Sequence, residues 1–121
     1  MVNEIDPNDR RIPNMKKIKL KVPIFTENYF ITVEITKGEL PKRGEGGYRG
    51  RAYNKFPDNN PLIILSGDFP YSEALATVAH EASHCMDYIE DYLGLSDPSG
   101  EFHAHGIGAV MRAVGKLIKI K

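Results

Sequence analysis

The sequence predicts a single α+β domain, and three features of the chain support this prediction. Segments in the first half alternate apolar and polar residues with period two, as half-buried strands do. The second half carries two segments with helical periodicity. At 121 residues and 13.6 kDa, the chain can bury one hydrophobic core but not two. We therefore expect a small, mostly antiparallel sheet packed on two helices, in one domain that spans residues 1–121.

The first two strands are predicted from alternation. Residues 1–15 have few apolar groups and are expected to form a flexible arm. Residues 17–22 alternate basic and apolar side chains, and Pro23 either ends this strand or confines it to a sheet edge. Residues 29–36 are rich in β-branched and aromatic side chains. Residues 27–28 then turn the chain between two antiparallel strands.

A basic, glycine-rich segment follows at residues 37–57 and is predicted to be mostly loop, with a short strand near residues 51–55. It suits a solvated connection, a contact with RNA, or a flap over a substrate cleft. The net charge of +0 favours the solvated connection and argues against a nucleic-acid partner. Residues 62–65 form a short apolar run that fits a strand buried on both faces.

The composition also predicts the environment of the protein. No apolar run approaches the roughly 20 residues that span a bilayer, so a membrane partner is not expected. The first residues lack a signal-peptide pattern. Cys85 is the only cysteine, which allows no internal disulfide and is expected to be a small buried thiol. These features predict a cytoplasmic protein.

A long helix is predicted over residues 72–93, with Gly94 at its C-terminal end. At roughly 100° per residue, His80 and His84 lie about 40° apart, opposite the apolar stripe. They are therefore not core residues, and they project one turn apart from the same face. The apolar stripe consists of Leu75, Val78, Ala79, Ala82, Met86, Ile89 and Leu93.

A second helix is predicted to begin at Asp97 and Pro98 and to end near residue 119. Glu101 and His105 share one of its faces, and His103 points away from that face. The predicted apolar stripe is Ala104, Ile107, Met111, Val114 and Ile118. Glycines cost helix propensity, about 1 kcal/mol each relative to alanine, which predicts a close approach to the first helix at Gly106, Gly108 and Gly115.

Residues 80–84, His-Glu-Ala-Ser-His, match the H-E-x-x-H pattern on a helix. Histidines at i and i+4 can supply two zinc ligands, while Glu81 is placed to act as general base toward a zinc-activated water. Zinc lowers the pKa of such a water toward about 7 and polarises the scissile carbonyl. The motif predicts a zinc cofactor and the hydrolysis of a peptide bond.

The second helix is expected to supply the third ligand. Glu101 is the preferred candidate and His105 the alternative; if Glu101 binds, His105 can support it or stabilise the oxyanion. Glu101 can also be an acid that merely favours the helix dipole. Asp87 and Asp91 share the histidine face and are expected to be solvated or to support the ligands.

The H-E-A-S-H motif, followed by Glu101 on the next helix, resembles the gluzincins, and the compact chain is similar to small bacterial and phage-encoded members. The resemblance covers residues 60–115. It implies that His80, His84 and Glu101 bind zinc, that Glu81 is the general base, and that residues 62–65 pair with an extended peptide. The substrate would be a peptide or protein, cut by an endopeptidase rather than an exopeptidase.

The sequence departs from the gluzincins in one respect, and a second hypothesis competes with the peptidase. No segment of these 121 residues corresponds to the separate C-terminal domain of larger gluzincins, so the resemblance does not place their oxyanion donor; His105, Tyr48 and Tyr53 are the candidates to replace it. The competing hypothesis is a non-catalytic zinc-binding interaction module, which recognises a partner through the glycine-rich loop. Zinc content separates both hypotheses from a chance match.

Overall fold

The described part of the chain is an α+β structure with a four-stranded mixed sheet and two helices. The structure is a computed structural model that describes residues 18–36, 50–66 and 71–117. The predicted arm at residues 1–15 and most of the glycine-rich segment, residues 37–49, lie outside the described residues. The strands are β1 (Ile18–Thr26), β2 (Tyr29–Thr36), β3 (Gly50–Tyr53) and β4 (Leu62–Ser66), and the helices are α1 (Tyr71–Leu93) and α2 (Glu101–Leu117).

The sheet has the order β1-β2-β4-β3. The predicted hairpin of β1 and β2 is confirmed, and β3 is antiparallel to β4. The inner pair β2 and β4 is parallel, so the sheet is mixed. Strand β1 continues beyond Pro23 through a register irregularity, and its position at the sheet edge explains why a residue without an N–H is tolerated there.

Both helices pack on the sheet and close the core. Helix α1 contacts β2, β3 and β4, while α2 contacts β1 and α1. In β2, Ile31, Val33 and Ile35 alternate onto the buried face, and they meet Ile63 and Leu65 of β4. Intervening residues of β4 are only partly buried, so the prediction of burial on both faces is wrong for this strand. One sheet face therefore carries most of the apolar contact with the helices.

Helix α1 agrees closely with the prediction. It spans Tyr71–Leu93, and Gly94 follows with a positive φ of 67°, a conformation that glycine adopts without steric cost. Val78, Ala82, Met86 and Ile89 of the predicted stripe are fully buried. Cys85 is buried as predicted, and this burial raises the pKa of its thiol, so it is a core side chain rather than a reactive one.

Helix α2 differs from the prediction in its start and in its buried face. Residues 97–100 form a turn before the helix begins at Glu101, and Asp97 accepts a hydrogen bond from the backbone N–H of His103. The buried residues are Gly106, Val110 and Val114, whereas Ala104 is exposed. The buried face is thus rotated by about 80° from the predicted stripe, taking roughly 100° per residue.

The close approach of α2 to α1 occurs at one of the three predicted glycines. A Cβ atom added at Gly106 would overlap Sδ of Met86, which is fully buried. Nothing lies within 4 Å of the same position at Gly115.

Among the helices that the structure describes, none is long and apolar enough to cross a membrane.

Candidate functional site

The H-E-x-x-H motif lies in a pocket between α1 and β3, an edge strand of the described sheet. The pocket has a volume of about 370 Å³. Helix α1 contributes His80, Glu81, His84 and Tyr88, and β3 contributes Gly50, Arg51, Ala52 and Tyr53. The predicted short strand therefore forms the wall opposite the motif.

The two motif histidines have the separation that a tetrahedral zinc ion requires. Nε2 of His80 lies 3.3 Å from Nε2 of His84, and the rings are nearly perpendicular at 85°. Two Zn–N bonds of about 2.0–2.1 Å at the tetrahedral angle place their nitrogens about 3.3 Å apart. Both side chains are exposed toward solvent, as the predicted helical phase requires. This pair of residues fits zinc as two of its ligands.

Glu81 lies beside the histidines and against β3. Burial raises the pKa of its carboxyl group, while His80, His84 and a hydrogen bond from the backbone N–H of Ala52 act in the opposite direction. The net direction is upward from the ordinary value. A partly desolvated carboxylate beside two imidazoles is an arrangement typical of a general base.

Gly50 allows β3 to approach the helix this closely. A Cβ atom at this position would lie 2.6 Å from Cγ2 of Thr77 and 3.4 Å from Cγ of Glu81. Such distances are shorter than, or at the limit of, normal carbon contacts. The glycine therefore brings the backbone of β3 next to the motif, where Ala52 reaches Glu81.

The structure does not bring Glu101 or His105 to the histidine pair. Both side chains are exposed, and neither lines the pocket. They lie on the side of α2 opposite the buried Gly106, Val110 and Val114, because the helix is rotated relative to the prediction. Within the described residues, neither completes a group of three possible ligand atoms with His80 and His84.

His103, which the helical wheel predicts to point away from the face of Glu101 and His105, lies at the junction of the two helices. Its ring contacts Ser83 and Glu90 of α1, at 2.8 and 2.7 Å. The burial pattern of α2 determines this orientation, and the sequence contains no independent signal for it. Tyr88 was also missed, although its spacing from His84 is the same i+4 step that links the two histidines.

The structure also bears on the predicted oxyanion donors and on the predicted peptide-binding strand. Tyr53 lines the pocket, as its proposed role as an oxyanion donor requires, whereas Tyr48 lies outside the described residues. Residues 62–65 cannot pair with a peptide, because β4 is already bonded to β2 and β3 on its two sides. The strand at the edge of the described sheet, beside the motif, is β3.

Comparison with known proteins finds no match to this chain among protein families, curated proteins or solved structures.

Proposed function

We propose that the protein is a zinc-dependent peptidase with a minimal zincin-like fold, in which His80 and His84 bind the metal and Glu81 is the general base. The 3.3 Å separation of the two Nε2 atoms carries this proposal. When bound, zinc would supply Lewis acidity at the scissile carbonyl and lower the pKa of a coordinated water. His80 and His84, the two candidate ligands, both line the pocket, and the rotated α2 argues against Glu101 as the third.

Proton transfer and stabilisation of the developing negative charge would be the tasks of side chains in the pocket. Glu81 would accept a proton from the attacking water and transfer it to the leaving amine. The Ala52 N–H holds this carboxylate at the pocket wall. Tyr53 and Tyr88 line the same pocket, and either phenol can donate a hydrogen bond to the oxygen on which negative charge develops.

Strand β3 is the proposed docking edge for the substrate. It pairs with β4 along one side, and all four of its residues line the pocket. An extended peptide that added to its other side would run past the histidines and Glu81. Main-chain hydrogen bonds of this kind bind a peptide with little dependence on its sequence.

The test compares zinc content and peptide cleavage in the wild type and in Glu81→Gln. We expect the variant to keep its zinc and to lose cleavage of a broad fluorogenic peptide library by about 10²–10⁴-fold. Asp91→Asn, which changes an exposed carboxylate on the same helix but outside the pocket, is the control and should cleave normally.

Two failures have different meanings. A protein that binds no zinc at the histidine pair contradicts the metal site itself. A wild type that holds zinc but cleaves no member of the library contradicts the peptidase, and the zinc-binding interaction module then becomes the better account.

A further inference from the structure

A second group of metal-binding side chains joins α1 to α2, apart from the pocket. Asp87 and Glu90 of α1 and His103 of α2 have possible ligand atoms that all lie within 4.8 Å of one another. Nδ1 of His103 is 2.7 Å from Oε2 of Glu90 and 3.6 Å from Oδ1 of Asp87. None of these three residues lines the pocket of the H-E-x-x-H motif.

Ser83 fixes which nitrogen of His103 faces the carboxylates. Its Oγ lies 2.8 Å from Nε2 of His103, on the side of the ring away from Glu90. If Nε2–H donates to this oxygen, Nδ1 carries a lone pair directed at two carboxylates. Histidines that bind metals characteristically donate their other ring N–H in this way. A cation among the three groups would replace the proton of the 2.7 Å hydrogen bond between Nδ1 and Oε2 of Glu90.

The charges around this group also favour a cation. Glu90 is partly buried, with 18% of its side chain exposed, and Asp87 is one helical turn away. Their only ionic partner among the described residues is His103, and neither carboxylate is paired with a lysine or arginine there. The group therefore has two carboxyl groups and one imidazole, which can carry at most a single positive charge.

We propose that Asp87, Glu90 and His103 form a second binding site for a divalent transition-metal ion of the zinc class. One imidazole and two carboxylates are ligands that zinc accepts, whereas calcium and magnesium prefer oxygen alone. The distance of 3.6 Å to Asp87 is close to the roughly 3.3 Å between two ligands of tetrahedral zinc. The contact with Glu90 has to lengthen by about 0.6 Å. The ion would clamp α2 onto α1.

The test removes the pocket ligands first. In His80→Ala/His84→Ala, whose replaced side chains are exposed, we expect isothermal titration to show one bound Zn²⁺ per chain and the melting temperature to rise with zinc. Adding Asp87→Asn should weaken this binding at least tenfold. Adding Asp91→Asn instead, an exposed carboxylate of the same helix, should leave it unchanged.

A second measurement uses the wild-type background. His103→Gln should lower the zinc content by one ion per chain while retaining the ion at His80 and His84. If the double histidine variant binds no zinc, or if Asp87→Asn and His103→Gln leave its zinc binding unchanged, a proton rather than a metal holds the group together and the proposal is wrong. Both the titration and the zinc-content measurement can be read whether or not the protein cleaves peptides.

Discussion

Two faces of α1 carry histidine contacts, and they differ in how they are formed. On the pocket face, His80 and His84 come from the same helix and are exposed beside an edge strand. On the α2 face, His103 comes from the other helix and is hydrogen-bonded at both ring nitrogens. The first arrangement depends on helical spacing alone, whereas the second also depends on how two helices pack. A motif search can therefore find the first and not the second.

The largest expected effect is a loss of zinc affinity on the pocket face of α1. In an Asp87→Asn background, which weakens the proposed second site, His84→Ala should lower zinc affinity at the pocket by more than the roughly 10–100-fold that loss of a supporting hydrogen bond costs. Glu101→Ala should leave the affinity unchanged, because Glu101 lies on the exposed side of α2. Competition with a chromogenic chelator measures both. Loss of zinc in Glu101→Ala would restore the ligand set that the sequence predicts.

A smaller effect tests the close contact between β3 and α1. Gly50→Ala places a methyl group 2.6 Å from Thr77, and we expect a loss of about 1–3 kcal/mol in the free energy of unfolding. Gly115→Ala is the matched control: it lies in α2 with nothing within 4 Å of the added atom, so helix propensity should stabilise it by up to about 1 kcal/mol. Urea denaturation distinguishes the two. A Gly50→Ala protein as stable as the wild type would mean that β3 is farther from the motif.

The smallest effect concerns the pH dependence of stability in the metal-free protein. Burial raises the folded-state pKa of Glu81, so the folded state holds this proton more tightly than the unfolded state. The stabilising contribution is complete below the unfolded pKa and is lost as pH rises through the folded pKa. Glu81→Gln should therefore match the wild type near pH 3 and melt at a higher temperature near pH 7. A lower melting temperature at pH 7 would contradict the burial of this carboxylate.

The strands and the first helix could be predicted because their signals are local. The alternation in β2 and the apolar stripe of α1 each involve neighbours within one element, and the burial of Ile31 and Val78 agrees with them. The phase of α2 could not be predicted as well. Its sequence has apolar side chains on several faces, and the contact of Gly106 with Met86 selects one of them. That choice moves Glu101 away from the histidines and brings His103 to Ser83.

The position of β3 in the pocket wall, like the phase of α2, could not be predicted from local sequence signals. The sequence predicts a short strand near residues 51–55 but not its place beside His80, at the edge of the described sheet. That position follows from β4 pairing in parallel with β2 and leaving its other side to β3. Strand order depends on contacts between distant segments, which one sequence does not report. The sequence thus predicts the helix that carries the motif, but it does not predict which strand forms the opposite wall of the pocket.

Anomalous diffraction from zinc-soaked crystals tests the central claim most directly. We expect a zinc peak about 2.0–2.1 Å from Nε2 of both His80 and His84, in the pocket that Glu81 and Ala52 border. Density without a zinc peak between these two nitrogens, at full zinc exposure, would contradict the metal site and the peptidase that depends on it.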